Sequence, residues 1–181
     1  MAQLCIQQIS GDVQSGYFTC GKKCIDEMVS ASYYTTILQH AYAYEVLAGT
    51  NNTIVGYYML MFKKIVLNDY PEKISDYREL LDDCFSVHIK YIAVDKRYQG
   101  KKIGTYILGT IVKKTFELVK NWPVRLITLD STPDNLKWYK SKGFAILNKQ
   151  QEIDGDYTVE MYMDCLINPQ KVDSYLESQK E

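Results

Sequence analysis

The sequence predicts an α/β (α+β) domain built on one twisted mixed sheet of about six to seven strands with about four flanking helices. Two observations carry this. β-branched and aromatic residues dominate the first half beyond the opening helix, and a strand–helix–strand–helix order occupies the second half, ahead of a closing strand pair. A third is the stripe Ile103, Ile107, Ile111 and Thr115, spaced at steps of four and flanked by Leu108, Val112 and Val119. Such spacing gives one apolar helix face to lay on a sheet.

Taken in order, Ile6 to Ile9 suit a short first strand. Cys24 to Gln39 has helical spacing at Ile25, Met28, Val29 and Tyr33, in two pieces. Ala41 to Ala48 and Thr53 to Leu67 form strands around Gly49-Thr50-Asn51-Asn52, a hairpin pattern. Asn68 to Asp83 is polar, holds Pro71, and is expected to be a loop with a short helix. Val87 to Val94 is the next strand, and a polar, glycine-bearing turn leads into the striped helix, which runs to Lys120. Pro123 stops it. Val124 to Leu129 is a strand, and Pro133 opens a helix to Lys142 that Gly143 caps. Phe144 to Leu147 and Tyr157 to Leu166 form the last strands around Asp154-Gly155-Asp156. Residues 168–181 are a charged tail, and the whole of 1–181 is expected to be one domain.

The 181 residues carry a net charge of −1, which argues against a dedicated nucleic-acid binder. Paired lysines and arginine (Lys63-Lys64, Lys96-Arg97, Lys101-Lys102, Lys113-Lys114) leave a local basic patch open. Five cysteines, an odd count at loose spacing, point to free thiols and a cytoplasmic setting. No metal is expected, because Cys20 and Cys24 have no second ligand pair and only two histidines are present. No apolar run approaches the ~20 residues that span a bilayer, so no membrane role is expected. The 16 tyrosines suit sheet faces and pocket walls.

The most informative stretch is Ile92-Ala93-Val94-Asp95-Lys96-Arg97-Tyr98-Gln99-Gly100-Lys101-Lys102-Ile103-Gly104-Thr105. A strand ends, a turn follows, and an amphipathic helix begins. Amides opening a helix lack intrahelical partners and sit at the positive end of its dipole, so they suit a pyrophosphate. Gly100 allows close backbone approach, and Lys101 and Lys102 add positive charge. Neither Gly-x-Gly-x-x-Gly nor a Walker-type Gly-Lys-Ser/Thr occurs, which disfavours a dinucleotide or a nucleoside triphosphate.

This stretch resembles the acetyl-CoA signature of GNAT acetyltransferases: Gln or Arg, two residues, Gly, one residue, then Gly or Ala. Gln99 and Gly104 take the outer positions, and Lys102 replaces the middle glycine, where a helical φ would still let its amide donate. Trp138-Tyr139-Lys140-Ser141-Lys142-Gly143-Phe144 is similar to the family's Tyr-x-x-x-Gly-Phe element. Where many members place Asn seven residues before the tyrosine, this chain has Thr132, and where they place Ala four residues before it, this chain has Asn135. Phe18 to Asp26 resembles the opening segment of a branch that includes toxins of toxin–antitoxin pairs, which acetylate aminoacylated tRNA.

The resemblance implies acetyl-CoA (coenzyme A) as cosubstrate and acetyl transfer to a primary amine. It assigns cofactor contacts to Ile92, Ala93, Val94, Gln99, Gly100, Lys101, Lys102, Ile103, Gly104 and Thr105, with a bulge or splay at Ile92 to Val94. It makes Tyr139 the general acid, since a phenol stays protonated at neutral pH. No general base is identified; His88, Glu45 and Asp130 are candidates, and a water relay is the alternative. The acceptor amine is open between a small molecule, a peptide or protein, and tRNA. Acceptor pockets in this fold are built from variable loops such as Asn68 to Asp83. A homodimer and a non-catalytic acyl-CoA-binding module are both compatible with the resemblance.

Overall fold

The computed structural model describes residues 4–13, 18–67, 82–148, 151–153, 156–166 and 168–178. Its strands are β1 (Leu4–Gln8), β2 (Tyr42–Ala48), β3 (Thr53–Val66), β4 (Asp83–Val94), β5 (Val124–Ser131), β6 (Ala145–Ile146), β7 (Gln151–Ile153) and β8 (Asp156–Asp164). The helices are α1 (Lys23–Ser30), α2 (Ser32–Ile37), α3 (Ile103–Leu118), α4 (Leu136–Lys140) and α5 (Pro169–Ser178). The sheet runs β1-β2-β3-β4-β5-β8-β6, and β7 pairs with the start of β8. Every pair is antiparallel except β4–β5, the two strands that α3 connects. A parallel pair needs such a crossover, because a tight turn cannot join strands of the same direction.

The predicted stripe of α3 forms the larger core. Ile107 and Ile111 are fully buried against Val46, Val55, Tyr58, Ile89, Ile127, Leu129 and Met161 of the sheet. On the opposite face, Val29 of α1 packs with Ala43, Tyr57, Met59, Tyr91 and Ala93. There the Tyr91 hydroxyl bonds the buried Ser32 hydroxyl of α2.

One irregularity shapes everything at the centre. In the β3–β4 ladder Met59 faces Tyr91 but Leu60 faces Ile89, so Lys90 is an extra residue, a β-bulge. A shift of one reverses the inside–outside alternation. Ile89 therefore packs toward α3, whereas Tyr91 and Ala93 pack toward α1. The β4–β5 ladder stops at the same place, with Ile89 opposite Leu129. From Lys90 onward β4 has no neighbour on that side, and the two strands fork.

Several boundaries differ from the sequence expectation. β4 starts at Asp83, ahead of Val87, because Cys84 and Ser86 turn inward while Phe85 stays exposed. The helix after Pro133 opens as a 3-10 turn (Pro133–Asn135) and is α-helical only over α4. Gly143, at φ +91, ends it as expected. β6 is two residues long, and β8 takes a second partner, β7, which the sequence reading did not place. The charged tail is helical over α5. The expected loop of Asn68 to Asp83 lies outside the described residues except at its last two positions.

Candidate active site

The turn from β4 into α3 is built by a buried carboxylate. Asp95 is 1% exposed and accepts from the Arg97 amide (2.9 Å), Nε (2.8 Å) and Nη2 (2.8 Å). Those hydrogen bonds from Arg97 hold its carboxyl below the usual range. The 3-10 turn Lys96–Tyr98 follows, then Gly100 at φ +75, a left-handed conformation that glycine adopts without cost.

Lys102 precedes α3 at φ +63, also left-handed, and no side chain caps the helix. The φ is left-handed rather than the helical value on which donation was conditioned, which explains why a glycine suits the position: the Cβ of Lys102 carries about 1–2 kcal/mol of strain. The amides of Gly100 to Thr105 make no hydrogen bond to protein among the described residues. They form a row of donors at the positive end of a 16-residue helix.

This row borders an outer cavity of about 330 Å³, lined by Val94, Tyr98, Gln99, Gly100, Lys102, Ile103, Gly104, Thr105 and Trp138. An inner cavity of about 490 Å³ adjoins it, sharing Val94, Gln99, Gly104 and Trp138. Its remaining walls are Cys20, Lys22, Ile25, Ile92, Asn135 and Tyr139. Together they make a groove from the start of α3 into the fork of β4 and β5. At its waist a Cβ on Gly104 would sit 3.9 Å from both the Trp138 ring and Val94 Cγ2.

Three of the predicted contacts need qualification. Ala93 is buried on the far face and offers the groove only backbone. Lys101 does not line either cavity; its ammonium lies 4.9 Å from the Tyr98 ring centre. Gln99 borders both cavities, but its side-chain amide donates to the carbonyls of Cys20 (2.9 Å) and Val94 (3.0 Å). That amide therefore pins the N-terminal segment against the end of β4.

The same segment is a compact wall. The Lys96 amide donates to Thr19 O (2.9 Å), and Asp26 accepts from the Thr19 hydroxyl (2.6 Å) and the Cys20 amide (2.8 Å). Burial, and then Asp26, push the Cys20 thiol up to about 11, so it is not a nucleophile at neutral pH. Lys22 Nζ reaches across to Thr132 Oγ1 (3.4 Å), which also accepts from Asn135 Nδ2 (3.2 Å). Cys20, Lys22, Ile25, Asn135 and Trp138 were not singled out as groove-lining residues. Trp138 and Asn135 sit beside the recognised tyrosine, and Cys20, Lys22 and Ile25 lie in the Phe18–Asp26 segment, but neither pattern says that they face the groove.

Tyr139 lies at the inner end, its ring edge-on to Trp138 (4.7 Å between centroids) and Phe144 (5.8 Å). Burial pushes its phenol up to about 12. Among the described residues its hydroxyl has no hydrogen-bond partner.

The three candidate bases lie elsewhere. His88 is buried, with Nδ1 3.0 Å from Thr128 Oγ1 and Nε2 3.6 Å from Asp130 Oδ2. Burial, then Lys63 and Lys90, push it down to about 4, so it is neutral at pH 7 and its contact with Asp130 is not an ion pair. Burial raises the Asp130 carboxyl. Glu45 accepts from Gln7 Nε2 (2.5 Å) across β1 and β2. None of the three lines the groove. Among the described residues no cluster of side chains suited to a metal is found, and no helix is long and apolar enough to cross a membrane.

Residues 13–165 match the family model described as Acetyltransferase (GNAT) domain. No curated protein matches the chain. A solved bacterial toxin superposes with a TM-score of 0.80 at 16% identity, covering 98% of this chain and 97% of its own. AtaT complexed with acetyl-methionyl-tRNAfMet gives 0.74 at 16% identity, over 96% and 99%. AtaTR bound with acetyl-CoA gives 0.67 at 15% identity, over 96% and 98%. At such identities the structures establish the fold. The chain belongs to the GNAT acetyltransferase family and is an N-acetyltransferase.

Proposed function

We propose that the protein moves the acetyl group of acetyl-CoA onto a primary amine by direct attack, with Tyr139 as the general acid. The observation that carries this reading is the unpartnered Tyr139 hydroxyl at the inner end of a groove that begins at free helix amides. The residues present fit the donor. The amides of Gly100 to Thr105 suit the diphosphate, and the unpaired edge of β4 from Lys90 to Ala93 suits the amides of the pantetheine arm. Gly104 leaves open the space between Trp138 and Val94 that a larger side chain would occupy.

Acetyl-CoA supplies an activated thioester carbonyl. The chain's task is then mainly placement. Tyr139 keeps its proton at every physiological pH, because burial holds the phenol up near 12, and hands it to the departing sulfur. Among the described residues no His, Asp or Glu lines the two groove cavities, and the proton shed by the amine passes to water.

A second reading concerns the acceptor. Among the described residues the groove walls carry Lys22 and Lys102 and no carboxylate, an environment that repels a small polycation and suits an amine attached to a polyanion. The nearby Asp26 and Glu27 are engaged by Thr19 and by Lys23 (3.7 Å). AtaT, of the same fold, is solved with acetyl-methionyl-tRNAfMet, and together these favour aminoacylated tRNA as acceptor. The test is a panel of free amino acids, polyamines, peptides and aminoacyl-tRNAs, with release of free thiol from acetyl-CoA as the signal. Aminoacyl-tRNA turnover with a KM that rises steeply with salt supports the second reading. Turnover of free amines alone excludes it, and no thiol release with any acceptor overturns the enzymatic assignment.

A further inference from the structure

The groove already contains an amine. Lys22 stands just before α1 in an extended conformation (φ −116, ψ 112), and its side chain lines the inner cavity with Tyr139, Ile92 and Val94. Its backbone neighbours are fixed on both sides. The Cys20 carbonyl is held by Gln99 and the Cys20 amide by Asp26. The Nζ atom bridges the groove to a neutral acceptor, Thr132 Oγ1, at 3.4 Å, and among the described residues no carboxylate pairs with it. Lys23, its neighbour, is 91% exposed and pairs with Glu27 across one turn of α1.

From this placement we infer that Lys22 is a site of self-acetylation, the first amine to meet a thioester brought into the groove. The inference rests on the proposed binding of acetyl-CoA there. The Lys22 ammonium gives one proton to water, and the neutral nitrogen adds to the acetyl carbon. The new C–N bond forms as the C–S bond breaks, the nitrogen sheds its second proton to water, the sulfur takes the Tyr139 phenolic proton, and solvent restores that proton to Tyr139. Nothing is oxidised or reduced, and the products are acetyl-Lys22, the free thiol and one proton. The product amide has no positive charge, so the bridge to Thr132 loses its charge-assisted component and the inner cavity loses its cation.

The experiment incubates the full chain with deuterium-labelled acetyl-CoA, without any acceptor, and maps the label by peptide mass spectrometry. The expected result is one labelled acetyl group per chain at Lys22. Its rate constant should be independent of protein concentration, as an intramolecular reaction requires. Lys22→Arg abolishes it, and Tyr139→Phe slows it about 100-fold. Lys23 serves as an internal reference for undirected chemistry. Equal labelling of Lys22 and Lys23, or no label at Lys22 while calorimetry shows acetyl-CoA bound, overturns the inference and leaves the proposed function standing. Absence of binding overturns both.

Discussion

The same two strands behave differently at their two ends. Up to Ile89 and Leu129, β4 and β5 are zipped, and their polar side chains satisfy one another: Ser86 with Thr128 (3.0 Å), Thr128 with His88, and, one strand further on each side, Lys63 with the buried Glu160 (2.6 Å). Beyond that point β4 stands free, its edge is open, and the nearest phenol has no partner. A titratable group in the zipped half is occupied with holding the sheet together. In the forked half Tyr91 and Asp95 are likewise engaged, by Ser32 and Arg97, and among the described residues Tyr139 at the groove has no hydrogen-bond partner. Being buried and polar does not mark function by itself, as the unpartnered Tyr58 hydroxyl in the core shows; being polar and unpartnered on the wall of a cavity does.

The sharpest way to break this contrast is Tyr139→Phe. It should lower kcat about 100-fold, about 2.7 kcal/mol, while calorimetry shows acetyl-CoA affinity unchanged. An unchanged kcat removes Tyr139 from the mechanism and erases the distinction between the two halves.

The zipped half makes a stability prediction of comparable size. Folded His88 is pushed down to about 4 from the usual 6.5. The unfolded chain therefore takes up this proton first as the pH falls. Its stability contribution is full above pH 6.5 and is lost as the pH drops toward 4. Asp130, raised by burial, opposes this over the lower part of the window. The net loss should be about 2 kcal/mol. His88→Gln should flatten the limb in urea titrations at several pH values and leave kcat within about twofold. A collapse of kcat with an unaltered pH profile of stability would make His88 the base after all.

Gly104→Val tests the waist. Its added methyls fall between Val94 and Trp138, and the KM for acetyl-CoA should rise about tenfold, or about 1.4 kcal/mol, at unchanged melting temperature. The smallest effect belongs to the turn. Lys102→Gly relieves the left-handed strain and should raise stability by about 0.5–1 kcal/mol, measured by denaturant unfolding.

What the sequence revealed divides along the same line. The β4–α3 turn and the α3 stripe were legible because their determinants are local: a four-residue period, glycines, and a helix start within one short stretch. Tyr139 was legible through its spacing to Gly143 and Phe144. The opposite wall was not, because Cys20 and Lys22 meet Asn135 and Trp138 only through tertiary proximity across more than half the chain. The left-handed conformation of Lys102 was not legible because a lysine argues against a positive φ. His88 remained a candidate base because burial and the Thr128 contact leave no mark on the strand's own sequence. β7 escaped notice because Gln151 and Glu152 lack strand character; its backbone pairing with β8 decides the matter.

Lys90 has a consequence out of proportion to its size. It acts as a phase shifter: one inserted residue lets a single strand face one way while it is part of the sheet and the other way where it becomes a wall. Pairing Lys90 into the ladder, with no bulge, would restore strict alternation, turn Ile92 and Val94 toward α1, and present Tyr91 and Ala93 to the groove. The lining of the channel is thus encoded in the parity of one strand as much as in the identity of its side chains, and a one-residue slip of register there would redraw the site without changing the sequence of a single groove residue.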